Sequence, residues 1–375
     1  MSVAGSDHQL RALLLEGIAA RDFPSAVYLV AQRGRIICSG ALGQAVRVPV
    51  QIPATTETVY DFASLTKPLV TGLLCAKLCE RKVICLDDPI SRHLHEFARD
   101  DKRALTIGQL LTHSSGLPAW LALCILTRGE RARTLDLIAA QPLDAAPGTR
   151  VIYSDLGFIT LGFLIERVFS LPLAAIADRE IFTPLGLTST CFNPPEFWRP
   201  RIAASEQGNN YEHEMFCRAN PHHAGEQQQK QQWRQHVIWG EVHDGNAYFL
   251  GGAAGHAGLF STARDALRLA EQFLAERTEI LTPSTCPLFS TDLTPGLNEA
   301  RSVSWQLAAT PDSTAGPHLA ARSFGHTGFT GTSCWVDAEH QRIFILLTNR
   351  THDHPPPFAN INQLRRRFHS LATQA

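Results

Sequence analysis

Strand-forming text stands at the two ends of the chain and helical text fills the space between, and this separation constrains the fold more than any other feature. Residues 26–32 and 35–40 are rich in β-branched and aromatic side chains and are joined by Arg33-Gly34, so they read as a hairpin. Residues 322–326, 332–337 and 342–349 read as an antiparallel meander with a turn at 338–341. A hairpin alone is marginal in water, so the first pair must join the last strands in one sheet. An opening helix from about His8 to Ile18, capped by Asp7, and a closing helix from about Phe358, with Leu364, Phe368 and Leu371 on one side, are placed to flank it. The expected fold is α/β (α+β): an antiparallel β-sheet flanked by helices, built from residues 1–83 and 290–375, with residues 84–289 as an inserted all-α domain.

Within that insert, residues 156–169 are apolar at helical period, and Gly157 and Gly162 are positioned to let a neighbouring element approach closely. Residues 106–111 open a short helix that 113–118 close. Residues 198–235 are polar, with His222-His223 and a glutamine run at 227–232, and are expected to form a mobile surface insertion. The glycine-dense loop 251–258 lacks the spacing and preceding strand of a phosphate-binding fingerprint, and reads as a tight passage beneath a site.

Charged residues make up 18% of the chain and the formal net charge is -1, so no global field favours nucleic acid or a membrane surface, and a small-molecule substrate is the expected partner. The first eight residues have neither a basic start nor an apolar run, and no later run reaches bilayer length, which sets the expectation of a cytoplasmic protein. The nine cysteines are odd in number and irregularly spaced, as for reduced thiols. Cys75 and Cys79 lack a second pair, and His93, His95, His352 and His354 lack further ligands at metal-site spacing, so no metal and no cofactor is expected. Oligomeric state is left open.

The chemistry centres on Ser64 and Lys67, three residues apart at the mouth of a helix expected to run to about Val83 with Leu65, Leu69, Leu73 and Leu74 inward. Backbone N–H groups of a first turn have no intrahelical partner and favour a developing oxyanion, while positions i and i+3 are neighbours, so Ser64 reads as a nucleophile within reach of Lys67. A serine at a helix mouth is equally an ordinary cap, so partners are required. Two segments supply them: Tyr153-Ser154-Asp155 in a loop, and His326-Thr327-Gly328-Phe329 on a strand beside a glycine that lets substrate backbone approach. A phenol near an amine can share a proton with it, which leaves open whether Lys67 or Tyr153 is the base.

In that order, Ser64-Leu65-Thr66-Lys67, Tyr153-Ser154-Asp155 and His326-Thr327-Gly328 resemble the three motifs of serine β-lactamases and penicillin-binding proteins, closest to the class C-like branch with its DD-peptidases, esterases and muramyl amidases. Residues 110–118 and 258–263 are similar to further stretches of that branch, and the likeness runs from about Leu14 to Asn349, sparing the glutamine-rich insertion. It implies a cleft between the sheet and helical domains. Carried over by position, it implies that Ser64 attacks, that Lys67 and Tyr153 shuttle its proton, that the backbone N–H groups of Ser64 and Phe329 form the oxyanion hole, and that His326, Asp155, Thr327 and Gly328 complete the site. The implied activity is hydrolysis of an ester or amide through an acyl-enzyme on Ser64, with a peptidoglycan fragment or a small ester as substrate. The alternatives are β-lactam hydrolysis and a penicillin-binding sensor or scaffold without turnover.

Two departures weigh against antibiotic hydrolysis. Asp155 stands where many relatives carry Asn, and an anion there disfavours an acidic substrate group. His326 stands where many β-lactamases carry Lys, and a neutral imidazole attracts a carboxylate less. Residues 241–246 either wall the cleft or form a turn cluster, His113 reads as structural, and Arg365-Arg366-Arg367 read as cations in the last turns of a helix.

Overall fold

The computed structural model describes residues 3–220 and 233–375. The two ends of the chain do share a sheet. Strands β1 (Ser25–Gln32), β2 (Arg35–Val46) and β3 (Ile52–Pro53) join β7 (Gln306–Leu307), β8 (Phe324–Thr327), β9 (Ser333–Asp337) and β10 (Arg342–Thr348) in the order β3-β2-β1-β10-β9-β8-β7, every neighbour antiparallel. The joint between the ends is the β1–β10 ladder, in register from Ala26 opposite Thr348 to Gln32 opposite Arg342.

Successive side chains of a strand point to opposite faces, and β1 is buried on both. Ala26, Tyr28 and Val30 face a cluster with Leu10, Leu13, Leu14 and Phe368, supplied by the helices Val3–Ala19 and Asn362–Ala372. Val27, Leu29 and Ala31 face the larger core shared with the helical body. The sheet is therefore the middle of three layers.

Three local expectations are corrected. Asp7 lies inside the first helix and accepts a hydrogen bond from the Tyr28 hydroxyl at 2.6 Å, so it tethers helix to sheet and does not cap. The last helix begins at Asn362, beyond the proline run 355–357, which puts Arg365 in its first turn instead of its last. The stretch after Ser64 is not one α-helix: a 3-10 turn (Ala63–Leu65) leads into a π-helical segment (Lys67–Gly72) and then the helix Leu73–Glu80. Pro68 removes a backbone donor there, and π-segments of this kind recur at functional sites.

The body also holds a small sheet, β4 (Tyr60–Asp61), β6 (Leu259–Ser261) and β5 (Cys191–Phe192), which pins the residues before Ser64 to the end of the glycine loop. That loop runs against the helix Asp155–Phe169. A Cβ on Gly255 would lie 2.0 Å from the Phe158 carbonyl oxygen and one on Gly162 would lie 2.9 Å from the Gly255 nitrogen, so these glycines permit the contact, whereas Gly157 meets only an ordinary neighbour at 3.5 Å. Part of the expected surface insertion is built into the fold. Residues 210–219 form a helix (Asn210–Ala219) with Glu212 and Phe216 buried, and Arg234 is buried as well. The His222-His223 pair and the glutamine run lie outside the described residues.

Candidate active site

Ser64 sits in a turn clamped from four sides. The Asp61 carboxylate accepts from the Ala63 N–H at 2.8 Å and the His243 N–H at 2.7 Å, and the Thr330 and Thr332 hydroxyls donate to the Asp61 and Phe62 carbonyls. Ala63 is held at φ +46°, a left-handed conformation that costs a residue with a side chain and persists only where its surroundings impose it. Lys67 opens the π-helical segment three residues on, and its side chain reaches back to Ser64.

The Lys67 Nζ is fully buried and has three acceptors around it: Ser64 Oγ at 2.9 Å, Asp155 Oδ1 at 2.7 Å and the His256 carbonyl oxygen at 3.3 Å. It also lies 4.8 Å from the Tyr153 ring centroid. Burial works against the ammonium, but the Asp155 charge, followed by Tyr153, outweighs it and holds the Lys67 pKa above its ordinary value. Burial raises the Tyr153 phenol, with Lys67 pulling it down and Asp155 up.

Tyr153 immediately precedes the helix Asp155–Phe169, whose cap is Ser154: its hydroxyl accepts from the Gly157 N–H and donates to the Pro118 carbonyl. His113, also at positive φ, accepts from the Ser154 N–H at 3.0 Å, and its ring lies 4.4 Å from that of Tyr153. The structural reading of His113 thus gains content: it positions the phenol.

His326 comes from β8 on the other side. Its Nδ1 donates to the Thr327 carbonyl at 2.9 Å, and burial, with Lys67 and Arg301 nearby, pushes its pKa well below the usual value, so the ring is neutral. Gly328 also has a packing role. A Cβ there would lie 2.1 Å from Thr332 Oγ1 and 2.5 Å from the Phe62 carbonyl oxygen, so the bare Cα makes room for the Ser64 turn.

Ser64, Tyr153, Asp155, His326, Thr327, Gly328 and Phe329 all line one cleft of about 620 Å³. Lys67 lies just beneath it.

Several lining residues escaped the sequence reading. Tyr211 and Glu212 arrive from the helix Asn210–Ala219, and Tyr211 packs on Phe329 with ring centroids 4.8 Å apart. The signal was present as i, i+4 pairs, Tyr211 with Met215 toward the cleft and Glu212 with Phe216 inward, masked by the polar residues around them. His243 and Asp244 make residues 241–246 a wall of the cleft, with His243 bonded to Glu206 at 2.8 Å and Asp244 to His256 at 2.8 Å.

Arg301 lines the cleft while paired with Glu299, at 2.6 Å. Arg350 and Arg365 line it too, and among the described residues neither has a carboxylate within ion-pair distance. They donate instead to carbonyls, Arg350 to Phe329 and Ala359, Arg365 to Gly328 and Thr332, while Arg365 Nε is buried without a partner.

Asp155, Asp244 and His256 present potential ligand atoms within 4.8 Å of one another, and Lys67 already supplies a cation to Asp155. His352, by contrast, is spent on backbone, accepting from the Arg47 N–H and donating to the Ser205 carbonyl.

The family model described as Beta-lactamase matches residues 10–366. A protein of Escherichia coli (strain K12) named "Putative D-alanyl-D-alanine carboxypeptidase" is 32% identical over 361 residues, 88% of this chain and 79% of its own. An "N-acetylmuramyl-L-alanine amidase" of Bacillus subtilis (strain 168) is 29% identical over 374 residues, 90% of this chain and 80% of its own. Among solved structures, a class C β-lactamase superposes with a TM-score of 0.76 at 14% identity, covering 100% of this chain and 99% of its own.

Proposed function

The chain belongs to the Beta-lactamase family, whose members are serine hydrolases, and from that premise we propose that it cleaves an amide bond in a peptidoglycan-derived peptide through an acyl-enzyme on Ser64. The observation that carries this reading is the surroundings of Lys67 Nζ. An ammonium has three hydrogens and no lone pair, and Ser64 Oγ, Asp155 Oδ1 and the His256 carbonyl use all three.

Lys67 therefore acts as a fixed charge and hydrogen-bond donor, and Tyr153, whose phenolate that charge favours against the opposing effect of burial, is the group left to accept the Ser64 proton once ionised. Ser64 Oγ then bonds to the substrate carbonyl carbon, and the developing oxyanion is held by the backbone N–H groups of Ser64 and Phe329. Tyr153 returns the proton to the departing nitrogen as the C–N bond breaks. Water repeats the sequence on the acyl-enzyme, freeing the acid and Ser64.

Substrate class is supported from two sides. The relatives reported above carry the names "Putative D-alanyl-D-alanine carboxypeptidase" and "N-acetylmuramyl-L-alanine amidase", both for cleavage of an amide bond at alanine, and Arg350 with Arg365 puts positive charge without an ion-pair partner among the described residues on the cleft wall, where a substrate carboxylate is attracted.

The test is a fluorophosphonate probe followed by digestion and mass spectrometry. Label on the peptide holding Ser64, and its loss in Ser64→Ala, is expected; an unlabelled Ser64 peptide from neutral to mildly alkaline pH would refute the mechanism. Nitrocefin, p-nitrophenyl esters and muramyl peptides assayed side by side then separate β-lactam hydrolysis, esterase activity and the proposed amide cleavage. Acylation without turnover on all three would favour a sensor.

A further inference from the structure

Four carboxyl groups, Asp155, Glu212, Asp244 and Glu299, line the cleft, and Glu299 is taken up by Arg301. Asp155 has Lys67 and Asp244 has His256, but among the described residues Glu212 has no cationic partner. Its oxygens accept from the Gly245 N–H at 2.9 and 3.1 Å and from Asn209 Nδ2 at 3.3 Å, which leaves part of a carboxylate's capacity of about four hydrogen bonds unused. The seat is specific: a Cβ on Gly245 would lie 2.1 Å from Glu212 Oε2.

A second, separate observation points the same way. Because His326 donates through Nδ1, its Nε2 is an acceptor, and that atom is buried in the lining of the same cleft with no partner. Unused acceptors on two sides of one cleft call for a donor, and a donor that is also a cation is the kind that can take the place of the proton on a buried carboxyl, which a neutral hydroxyl cannot do.

We infer that Glu212 is a specificity-determining residue that receives a primary ammonium group of the substrate, so that amine-bearing peptides are taken in preference to their N-acylated forms. With Arg350 and Arg365 also in the lining, the cleft suits a peptide that carries both ammonium and carboxylate groups. The electrostatics around Glu212 fit. Burial and then Asp244 push its carboxyl up to about 8, against the opposing pull of His243 and Arg234, so near neutrality it holds a proton that an incoming ammonium replaces. The inference rests on the hydrolase reading only for calling the bound molecule a substrate.

Binding is measured by isothermal titration calorimetry on full-length Ser64→Ala protein, which cannot acylate. The probes are Lys-D-Ala-D-Ala and its Nα,Nε-diacetyl form. The free-amine peptide is expected to bind at least tenfold more tightly and to release a proton, read from the dependence of heat on buffer ionisation enthalpy. Glu212→Gln in the same background is expected to bring the ratio near one and abolish proton release, with a thermal melt to check folding. If that variant does not fold, the affinity ratio and proton release of the Ser64→Ala protein still decide. Equal affinity for the two peptides, failure of both to bind, or a ratio kept in Glu212→Gln overturns the inference. Failure of the hydrolase reading is separately visible, as an unlabelled Ser64 in the intact chain.

Discussion

Asp155→Asn tests the assignment of Lys67 as a permanent ammonium more sharply than any change at Lys67 itself, because it removes a charge while leaving an acceptor of the same shape. Lys67 Nζ donates to Asp155 Oδ1 at 2.7 Å, with the lysine side chain fully buried and the carboxylate 19% exposed. Deleting the partner outright, as in Asp155→Ala, is expected to cost about 3–5 kcal/mol, since it strands a buried ammonium. The amide still accepts, so Asp155→Asn loses only the charge-assisted share of the bond, about 1–2 kcal/mol.

The pH dependence has a definite sign. Asp155 raises the Lys67 pKa above its unfolded value, so the stabilisation is fully present below about 10.4 and disappears as pH rises through the folded value. The variant's deficit in urea denaturation is therefore expected to be level across neutral pH. Asp155 raises the Tyr153 phenol too, so removing its charge lowers both groups, and the pH profile of fluorophosphonate inactivation is expected to move as a whole toward lower pH. Superimposable wild-type and Asp155→Asn profiles would refute the reasoning, because they would mean that Asp155 does not set the charge on Lys67.

Other perturbations isolate other parts of the molecule. Glu206 raises the pKa of His243, which is otherwise lowered by burial, so this pair's stabilisation is complete below about 6.5 and is lost as pH climbs through the folded value; thermal melts between pH 6 and 9 are expected to fall in the wild type and to run flatter in Glu206→Gln. In Gly255→Ala a methyl would lie 2.0 Å from the Phe158 carbonyl oxygen, so the backbone must shift, and a loss of about 1–3 kcal/mol or more in denaturant unfolding is expected. Thr262 caps the helix Ala263–Glu271 by accepting from the Asp265 N–H, and Thr262→Ala is expected to cost about 1 kcal/mol by the same measurement without changing fluorophosphonate labelling.

What could be read from the sequence was whatever repeats or carries a local preference. The β-branched and aromatic residues of 26–32 mark β1 as a strand, and a hairpin too small to stand alone brings the two chain ends together. Ser64, Tyr153 and His326 were legible because each sits in a short run of distinctive residues. Less visible was anything set by a contact between distant segments. The π-segment depends on Pro68 and on Gly72 packing against Ser304, whose Oγ would lie 2.0 Å from an added Cβ. Glu212 reads as a surface acid because its neighbours are polar, and only the arrival of Gly245 beneath it shows that it faces inward. Arg365 was misplaced for a related reason: a run of arginines looks like the end of a helix until the prolines before it shift the start.

The two departures from the commoner motif pattern act together. A neutral His326 in place of a lysine removes one positive charge, and Asp155 in place of an asparagine adds one negative charge, so the floor around Ser64 is more negative by two units than a Lys/Asn version would be. Such a floor cannot attract a substrate carboxylate at the usual place. Positive charge without an ion-pair partner among the described residues is found instead at Arg350 and Arg365, just past β10 and in the last helix, while on the opposite count Asp155 keeps the Ser64 floor acidic. The field in the cleft thus has a direction. It disfavours a carboxylate close to Ser64, where Asp155 repels it, and favours one that reaches past that floor to the arginines.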